Sequence, residues 1–400
     1  MITMTPFRSI PAHERIQLMD ALRGFALFGI LTVNIWSFSR YEWLPPEQRT
    51  DTWLTDLLMI LVDTKFMTIF SLLFGAGFSI QQQRASAKGV NFVPYYSKRM
   101  LILFLIGCLH AYLFWFGDII RSYALLGIAL LAIRSLSTKA TLRLALVFIC
   151  FLTPLVFILN EMIGIRTNPE QVDGIPLQTF IYTTFIQGSY PQILRTNWII
   201  DPWHNFIQDM PISLVAMFGR MVLGVWLARI GFFRNPAAHK PLIRKWLWWG
   251  GTAGVAGSVG FWAIHKGLLP MDEPYMLGVI FIVASCLVLH SLCYVALFVK
   301  LYTGLLGVGL LRFLAPVGRM GLTNYISQTL LAFAIFYGAG TVGKVMPVAM
   351  LGWTFAIFTL QILLSRWWLS RHEFGPVEWI WRRLAYAGAD TSRLHSPIEN

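Results

Sequence analysis

Apolar residues gather into stretches about as long as a bilayer core is thick, roughly 20 residues per helix. Ten such stretches stand at 19–38, 57–80, 100–117, 119–134, 142–160, 207–230, 246–264, 276–299, 318–338 and 347–368. They predict an all-α polytopic membrane helix bundle of about ten transmembrane helices, filling 1–400 as a single membrane domain. The first stretch is too long for a signal-peptide core, and no small-residue cleavage site follows it. It is expected as a retained span. The apolar run 302–316 carries Arg312 and is expected as an interfacial or re-entrant helix rather than a span. Glycines crowd 250–260, a sign of close helix packing.

The polar segments between the stretches alternate in charge. Arg84, Lys88, Lys98 and Arg99 fall on one side, with Arg134, Lys139 and Arg143, and with Arg229, Arg234, Arg244 and Lys245. The other side holds few basic residues, such as Arg40, Arg49, Arg121, Arg195 and Lys266. Basic residues favour cytoplasmic loops, so both termini are expected in the cytoplasm. The one long outer segment, 161–206, bears Trp198, Trp203 and His204 and is expected to pack over the bundle mouth. The tail 369–400 follows Trp367 and Trp368 and contains Trp379, Trp381, Arg382 and Arg383. It is expected as an interfacial anchor.

Composition agrees: 56% of residues are hydrophobic and 13% charged, against roughly a quarter charged in soluble domains. The net charge of +13 comes without a contiguous basic run that could track phosphates, so nucleic acid is not expected. The partner is the lipid bilayer. Cys108, Cys150, Cys286 and Cys293 lie in apolar stretches without metal spacing, and no metal site is expected. Oligomeric state is not legible.

Polar side chains inside spans are costly and each calls for a reason. Asp20 and Arg23 are three apart and can pair at the inner mouth. Asn34 lies eleven residues beyond Arg23, on nearly the same face and roughly 16 Å deeper. His110 stands as far above Arg99, and His290 and Arg220 fall near the same depth by the same helical rise. These four groups predict a polar layer. Asp63, Lys65, Asp118 and Arg121 form a more outward rim. Asp63 and Lys65 cannot share a helix face. Asp118 reads as a helix cap, and on a straight helix it lies roughly 12 Å from His110, too far for contact. Asn324, Tyr325 and Gln328 glue helices or line an inner entry. No P-loop, Rossmann, GxSxG or HExxH pattern is present.

The stretches MDALRGFALFGILTVNI (19–35), FSLLFGAGFSI (70–80), LIGCLHAYLFWFGDIIRSYALLG (105–127), GRMGLTNYISQTLL (318–331) and GPVEWIWRRL (375–384) resemble the YeiB-like family of bacterial inner-membrane proteins of unknown function. That family is distantly similar to the transmembrane acyltransferase superfamily. The resemblance implies transfer from cytosolic acyl-CoA, a donor substrate rather than a tightly bound cofactor, to an envelope glycan or lipid acceptor. Where many of those proteins carry an arginine and then a histidine in the first span, this chain has Arg23 and Asn34. Asparagine cannot serve as a general base, so either His110 takes that role or the acyl-transfer activity is absent or different. Two other readings stand beside acyl transfer: a multi-pass transporter of a small molecule, and a non-catalytic scaffold.

Overall fold

The computed structural model describes residues 15–44, 49–50, 52–163, 170–201, 210–269, 275–304 and 311–386. Its first half comprises α1 (Gln17–Phe38), α2 (Thr52–Leu61), α3 (Lys65–Ala87), α4 (Phe92–Leu113), α5 (Ile120–Leu130), α6 (Thr138–Val147) and α7 (Thr153–Ile163). A two-residue antiparallel hairpin, β1 (Gln171–Val172) with β2 (Ile175–Pro176), precedes α8 (Leu177–Gln187) and α9 (Tyr190–Ile199). Then come α10 (Met210–Arg229), α11 (Lys240–Trp249), α12 (Val255–His265), α13 (Met276–Thr303), α14 (Ala315–Arg319), α15 (Gly321–Phe336), α16 (Pro347–Leu369) and α17 (Pro376–Tyr386).

The chain is an all-α polytopic bundle. Among the described residues, seven helical stretches are long and apolar enough to cross a membrane: 17–38, 52–87, 92–113, 138–162, 210–229, 276–303 and 347–369. The remaining apolar segments are shorter or broken. α5 runs on only through a 3-10 turn at Leu131–Ile133. α11 and α12 are joined through a π turn at Gly250–Gly254. α14 and α15 are separated at Met320. The expected 57–80 span is α2 and α3, bent at 62–64 where Thr64 adopts φ 64°. The expected 100–117 span ends early, at Leu113, and 114–119 reverses the chain. Of the expected interfacial run 302–316, residues 305–310 lie outside the described residues. Its end forms a 3-10 turn leading into α14. Trp203 and His204 also lie outside them.

α1 is the central helix, packed by α3, α14, α15 and α16. Its Leu22, Leu27, Leu31 and Ile35 are fully buried. The outward side stays apolar too: Leu101, Leu105 and Leu109 follow one another at helical spacing on α4 and are exposed, a stripe fit for lipid rather than water. Glycines set the closest approaches. A Cβ on Gly75 would stand 1.9 Å from the Met221 carbonyl oxygen, and one on Gly224 1.9 Å from that of Leu72. Backbones of α3 and α10 therefore touch where a side chain would hold them apart. The expected 250–260 packing has the same origin, since Gly250, Gly254 and Gly257 press against Leu289, His290 and Cys286 of α13.

Candidate functional site

α4 ends one turn past His110, and the reversal at 114–119 brings Asp118 back beside it. His110 Nδ1 and Asp118 Oδ2 are 2.8 Å apart. The straight-helix estimate of roughly 12 Å is thus corrected: the rise along an axis does not apply across a turn. Gly107 admits the returning chain, because a Cβ there would meet the Arg121 backbone nitrogen at 2.7 Å and Asp118 Oδ1 at 3.0 Å. Asp118 also caps the start of α5, its Oδ1 accepting the Arg121 N–H at 3.0 Å.

Two further links extend this pair. His110 Nε2 lies 3.0 Å from Thr329 Oγ1 on α15. Arg121 donates both terminal nitrogens to Asp201, each bond 2.8 Å, and its Nε stands 3.6 Å from Asp118 Oδ1. All five side chains are buried, the imidazole at 2% exposure. With Asp118 ionised, a neutral imidazole keeps its proton on Nδ1 and offers Nε2 as acceptor to the Thr329 hydroxyl. Hydroxyl, imidazole and carboxylate then form one line, the arrangement that lets a base take a proton from a hydroxyl.

On the side where the basic segments gather, α1, α3, α4, α15 and α17 enclose a cavity of about 300 Å³. Arg15, Arg23, Arg84, Arg99, Arg319 and Arg382 line it with Asp20 and Glu378. Arg23 and Asp20 pair at 2.9 Å, as their spacing predicts, and Arg23 also donates to the Gly318 carbonyl at 3.3 Å. Among the described residues, the buried Nε atoms of Arg15, Arg99 and Arg319 have no hydrogen-bond partner. The remaining wall is apolar, including Phe70, Phe74, Met100 and Leu103, and it reaches Ile119 and Tyr325. The Tyr325 hydroxyl accepts the Ile119 N–H at 3.4 Å, and its ring lies 5.5 Å from that of His110. Tyr325 therefore stands between the cavity and the buried hydroxyl–imidazole–carboxylate line.

α17 closes this cavity. Glu378 Oε1 accepts the N–H groups of Leu322 (2.7 Å) and Thr323 (3.1 Å), and Oε2 accepts the Thr323 hydroxyl. Burial raises this carboxyl above the ordinary glutamate range, while those donors pull it back. Trp381 donates its indole N–H to the Arg99 carbonyl at 2.8 Å, and the Arg99 guanidinium stacks on its ring at 4.3 Å. The expected interfacial tail is here a helix folded over the mouth, with Trp379, Ile380 and Leu384 exposed.

The other expected site residues separate. Asn324 donates to the Val317 carbonyl and to Ser365 Oγ, and Gln328 donates to the Leu27 carbonyl and to Gln361 Oε1. Both tie α15 to its neighbours. Asn34 is half-buried, does not line the cavity, and makes no side-chain hydrogen bond among the described residues. His290 lies elsewhere, 2.8 Å from Ser258 Oγ and edge-on to Tyr294. Lys65 is fully buried, donates to the Met59 carbonyl at 3.1 Å, and interacts electrostatically with Asp63, Arg220 and His290. The bend at 62–64 frees Asp63 and Lys65 from the helix-face rule, so they do attract each other. One expected polar layer is thus two clusters, one around His110 and one around Lys65, because equal depth does not fix which way a helix faces.

Thr329 and Asp201 complete the first cluster and were not singled out from sequence. Thr329 follows Tyr325 by four residues, on the same helix face, which was the available signal. Among the described residues no group of His, Cys, Asp and Glu could hold a metal ion.

The protein-family comparison matches residues 227–388 to "Protein of unknown function (DUF418)". Over nearly the whole length the chain is similar to the "Uncharacterized protein YxaH" of Bacillus subtilis (strain 168), 30% identical over 96% of this chain and 97% of the relative. The "Uncharacterized protein YeiB" of Escherichia coli (strain K12) is 26% identical over 94% and 97%. A 39.9 kDa protein from the amylase 3' region of Bacillus acidopullulyticus is 27% identical over 94% and 95%. No solved structure matches. With a relative this similar over nearly its whole length, and the family match over 227–388, the chain belongs to the YeiB-like, DUF418-containing family of membrane proteins.

Proposed function

We propose that the protein is a membrane acyltransferase that moves an acyl group from acyl-CoA in the cytoplasm to a hydroxyl-bearing glycan or lipid acceptor of the cell envelope. The observation that carries this reading is the arginine-rimmed apolar cavity whose far wall, Tyr325 and Ile119, adjoins the Thr329–His110–Asp118 line. Guanidinium groups with unmet donors suit phosphates, and the apolar wall suits a chain. The combination fits an anionic amphiphile. In this reading the basic segments face the cytoplasm of a bacterial inner membrane, with both termini inside, as the positive-inside rule predicts.

His110 then acts as general base. When the Tyr325 ring swings aside, an acceptor hydroxyl takes the place the Thr329 hydroxyl holds here and gives its proton to Nε2. The acceptor oxygen bonds to the thioester carbonyl, the carbon–sulfur bond breaks, and the imidazolium returns the proton to the CoA thiolate. Asp118 keeps the ring in the tautomer with Nε2 open.

The test is purified full-length protein with long-chain acyl-CoA, scored for binding and for CoA release in the presence of envelope extract. Binding that weakens in Arg23→Gln and Arg99→Gln, with release lost in His110→Gln, is expected. Absence of both binding and release sinks the reading.

A second reading, transport of a small molecule, is favoured by the separate Lys65, Asp63, Arg220 and His290 cluster, since intramembrane ionisable groups mark ion and substrate paths. Uptake into proteoliposomes driven by a pH gradient, retained in His110→Gln and lost in Lys65→Met, would favour it over acyl transfer.

A further inference from the structure

We propose that Arg40 is an anion-binding site at the end of α1 opposite the arginine cavity, taking the phosphate or carboxylate of a ligand that arrives from that side. Arg40 lies 17 residues beyond Arg23, about 25 Å away by helical rise, a distance close to the thickness of a bilayer core. The two guanidiniums therefore mark opposite mouths of the bundle.

The Arg40 side chain is fully buried. Its Nε donates to the Tyr337 hydroxyl at 2.9 Å. One face is covered by the Phe185 ring, 3.5 Å from guanidinium carbon to ring centroid, with Phe116 at 5.4 Å. Among the described residues, neither terminal nitrogen has a hydrogen-bond partner. The contrast with Arg121 is direct, because that equally buried guanidinium spends both terminal nitrogens on Asp201. Aromatic faces repay part of the cost of burying a cation. Two unmatched charged donors remain expensive.

The geometry of what remains open names the ligand class. With Nε engaged and one face stacked, the free edge is the pair of terminal nitrogens. That edge grips an oxyanion through two parallel bonds. The backbone adds a second mark: Arg40 holds φ 62°, a left-handed conformation that non-glycine residues adopt at a cost and that clusters at ligand sites. Phe185 belongs to α8, whose main packing partners are α9, the β1–β2 hairpin and the 3-10 turn Tyr41–Trp43. α8 thus leans on outer-segment elements and can lift from Arg40 without unpacking a long helix. In the acyl-transfer reading this mouth is where the acceptor arrives, so the site deepens that reading, although anion binding itself does not require it.

The experiment uses the full-length protein in phosphatidylcholine nanodiscs. One arm adds inorganic phosphate; the other replaces part of the lipid with phosphatidylglycerol. Thermal midpoint and hydrogen exchange of residues 177–187 are read for wild type, Arg40→Gln and Arg40→Lys. The arginine cavity offers guanidiniums to the same probes, so the difference between wild type and Arg40→Gln is the quantity that counts. The expected result is a saturable rise in midpoint with faster exchange in 177–187, requiring roughly tenfold or more probe in Arg40→Gln and intermediate in Arg40→Lys. A response to phosphate alone assigns a free oxyanion, and one to phosphatidylglycerol alone a lipid headgroup.

An unchanged response in Arg40→Gln, or no response of 177–187 to either probe, overturns the site. Should Arg40→Gln fail to fold, Phe185→Leu uncovers the guanidinium and is expected to bind the probe more tightly; unchanged binding in that variant overturns it equally. Acyl transfer assayed on the same samples keeps the two proposals apart, since preserved anion binding without CoA release removes the enzyme reading and leaves the site.

Discussion

His110 and Asp118 meet at 2.8 Å across a chain reversal, and the same carboxylate holds the first turn of α5 through the Arg121 N–H. One side chain thus fixes both the imidazole tautomer and the geometry of the turn that delivers it. The two roles can be separated. Asp118→Asn keeps an acceptor for the Arg121 N–H but can present its amide to Nδ1, turning the ring's acceptor inward. Acyl transfer measured by CoA release is expected to fall about a hundredfold or more, with a small change in thermal midpoint. Retained turnover would leave Asp118 only its capping role.

Thr329→Val tests what the hydroxyl is for. If Thr329 merely occupies the acceptor's place, turnover stays within about tenfold of wild type, and stability drops by about 1 kcal/mol for the lost hydrogen bond. Turnover abolished in Thr329→Val and kept in Thr329→Ser would instead make Thr329 the group that carries the acyl chain.

The Arg121–Asp201 pair anchors the chain just beyond α9 to α5, both residues at 1% exposure. Asp201→Asn removes the charge opposite the terminal nitrogens of the buried Arg121 guanidinium and is expected to cost about 3–5 kcal/mol. Replacing both residues with leucine is expected to recover much of that loss. Thermal unfolding of Arg121→Leu, Asp201→Leu and the double variant in one detergent measures the coupling. Simple additivity would show that the pair contributes nothing jointly.

Glu378 makes the attachment of α17 depend on pH. Burial is the leading cause of its raised carboxyl pKa, so the folded state holds the proton more firmly than the unfolded one. The resulting stability is complete below the unfolded value of about 4.3 and fades as pH rises through the folded value. Hydrogen exchange in residues 376–386 is expected to quicken as pH rises above the ordinary glutamate range. Glu378→Gln should flatten that dependence, and an identical pH profile in the variant would refute it.

How much of this was legible in the sequence follows from what a linear pattern records. Hydropathy records length, so helices appear close to where apolar stretches begin and end. Spacing records position along an axis, which is why the Asp20–Arg23 pair and the glycine packing of α12 were readable. Azimuth and reversal leave no such trace. His290 and His110 share a depth yet face different neighbours, and Asp118 was measured along a helix that stops at Leu113. Asp201 was hidden for another reason: its partner is 80 residues away, across a stretch of sequence whose hydrophobic pattern has no period of its own.

The close approach of α3 and α10 carries a sharp expectation. Gly75→Ala places a methyl group where the Met221 carbonyl oxygen stands, and neither backbone can yield locally. The two helices must part, at about 1–3 kcal/mol or more, visible as a lower thermal midpoint and reduced membrane yield. Gly77→Ala, whose Cβ would meet nothing within 4 Å, serves as the control and should be neutral.

The mouth of the arginine cavity has a consequence for anyone who handles the molecule. Arg15, just ahead of α1, lies 5.7 Å over the Phe374 ring, and Arg382, on α17, lies 4.1 Å from the same ring. A single aromatic ring therefore clasps the segment entering α1 to the helix that covers the cavity. A Phe374→Ala variant loosens both sides of the entrance at once, and a loss of activity there would report an opened mouth rather than missing chemistry.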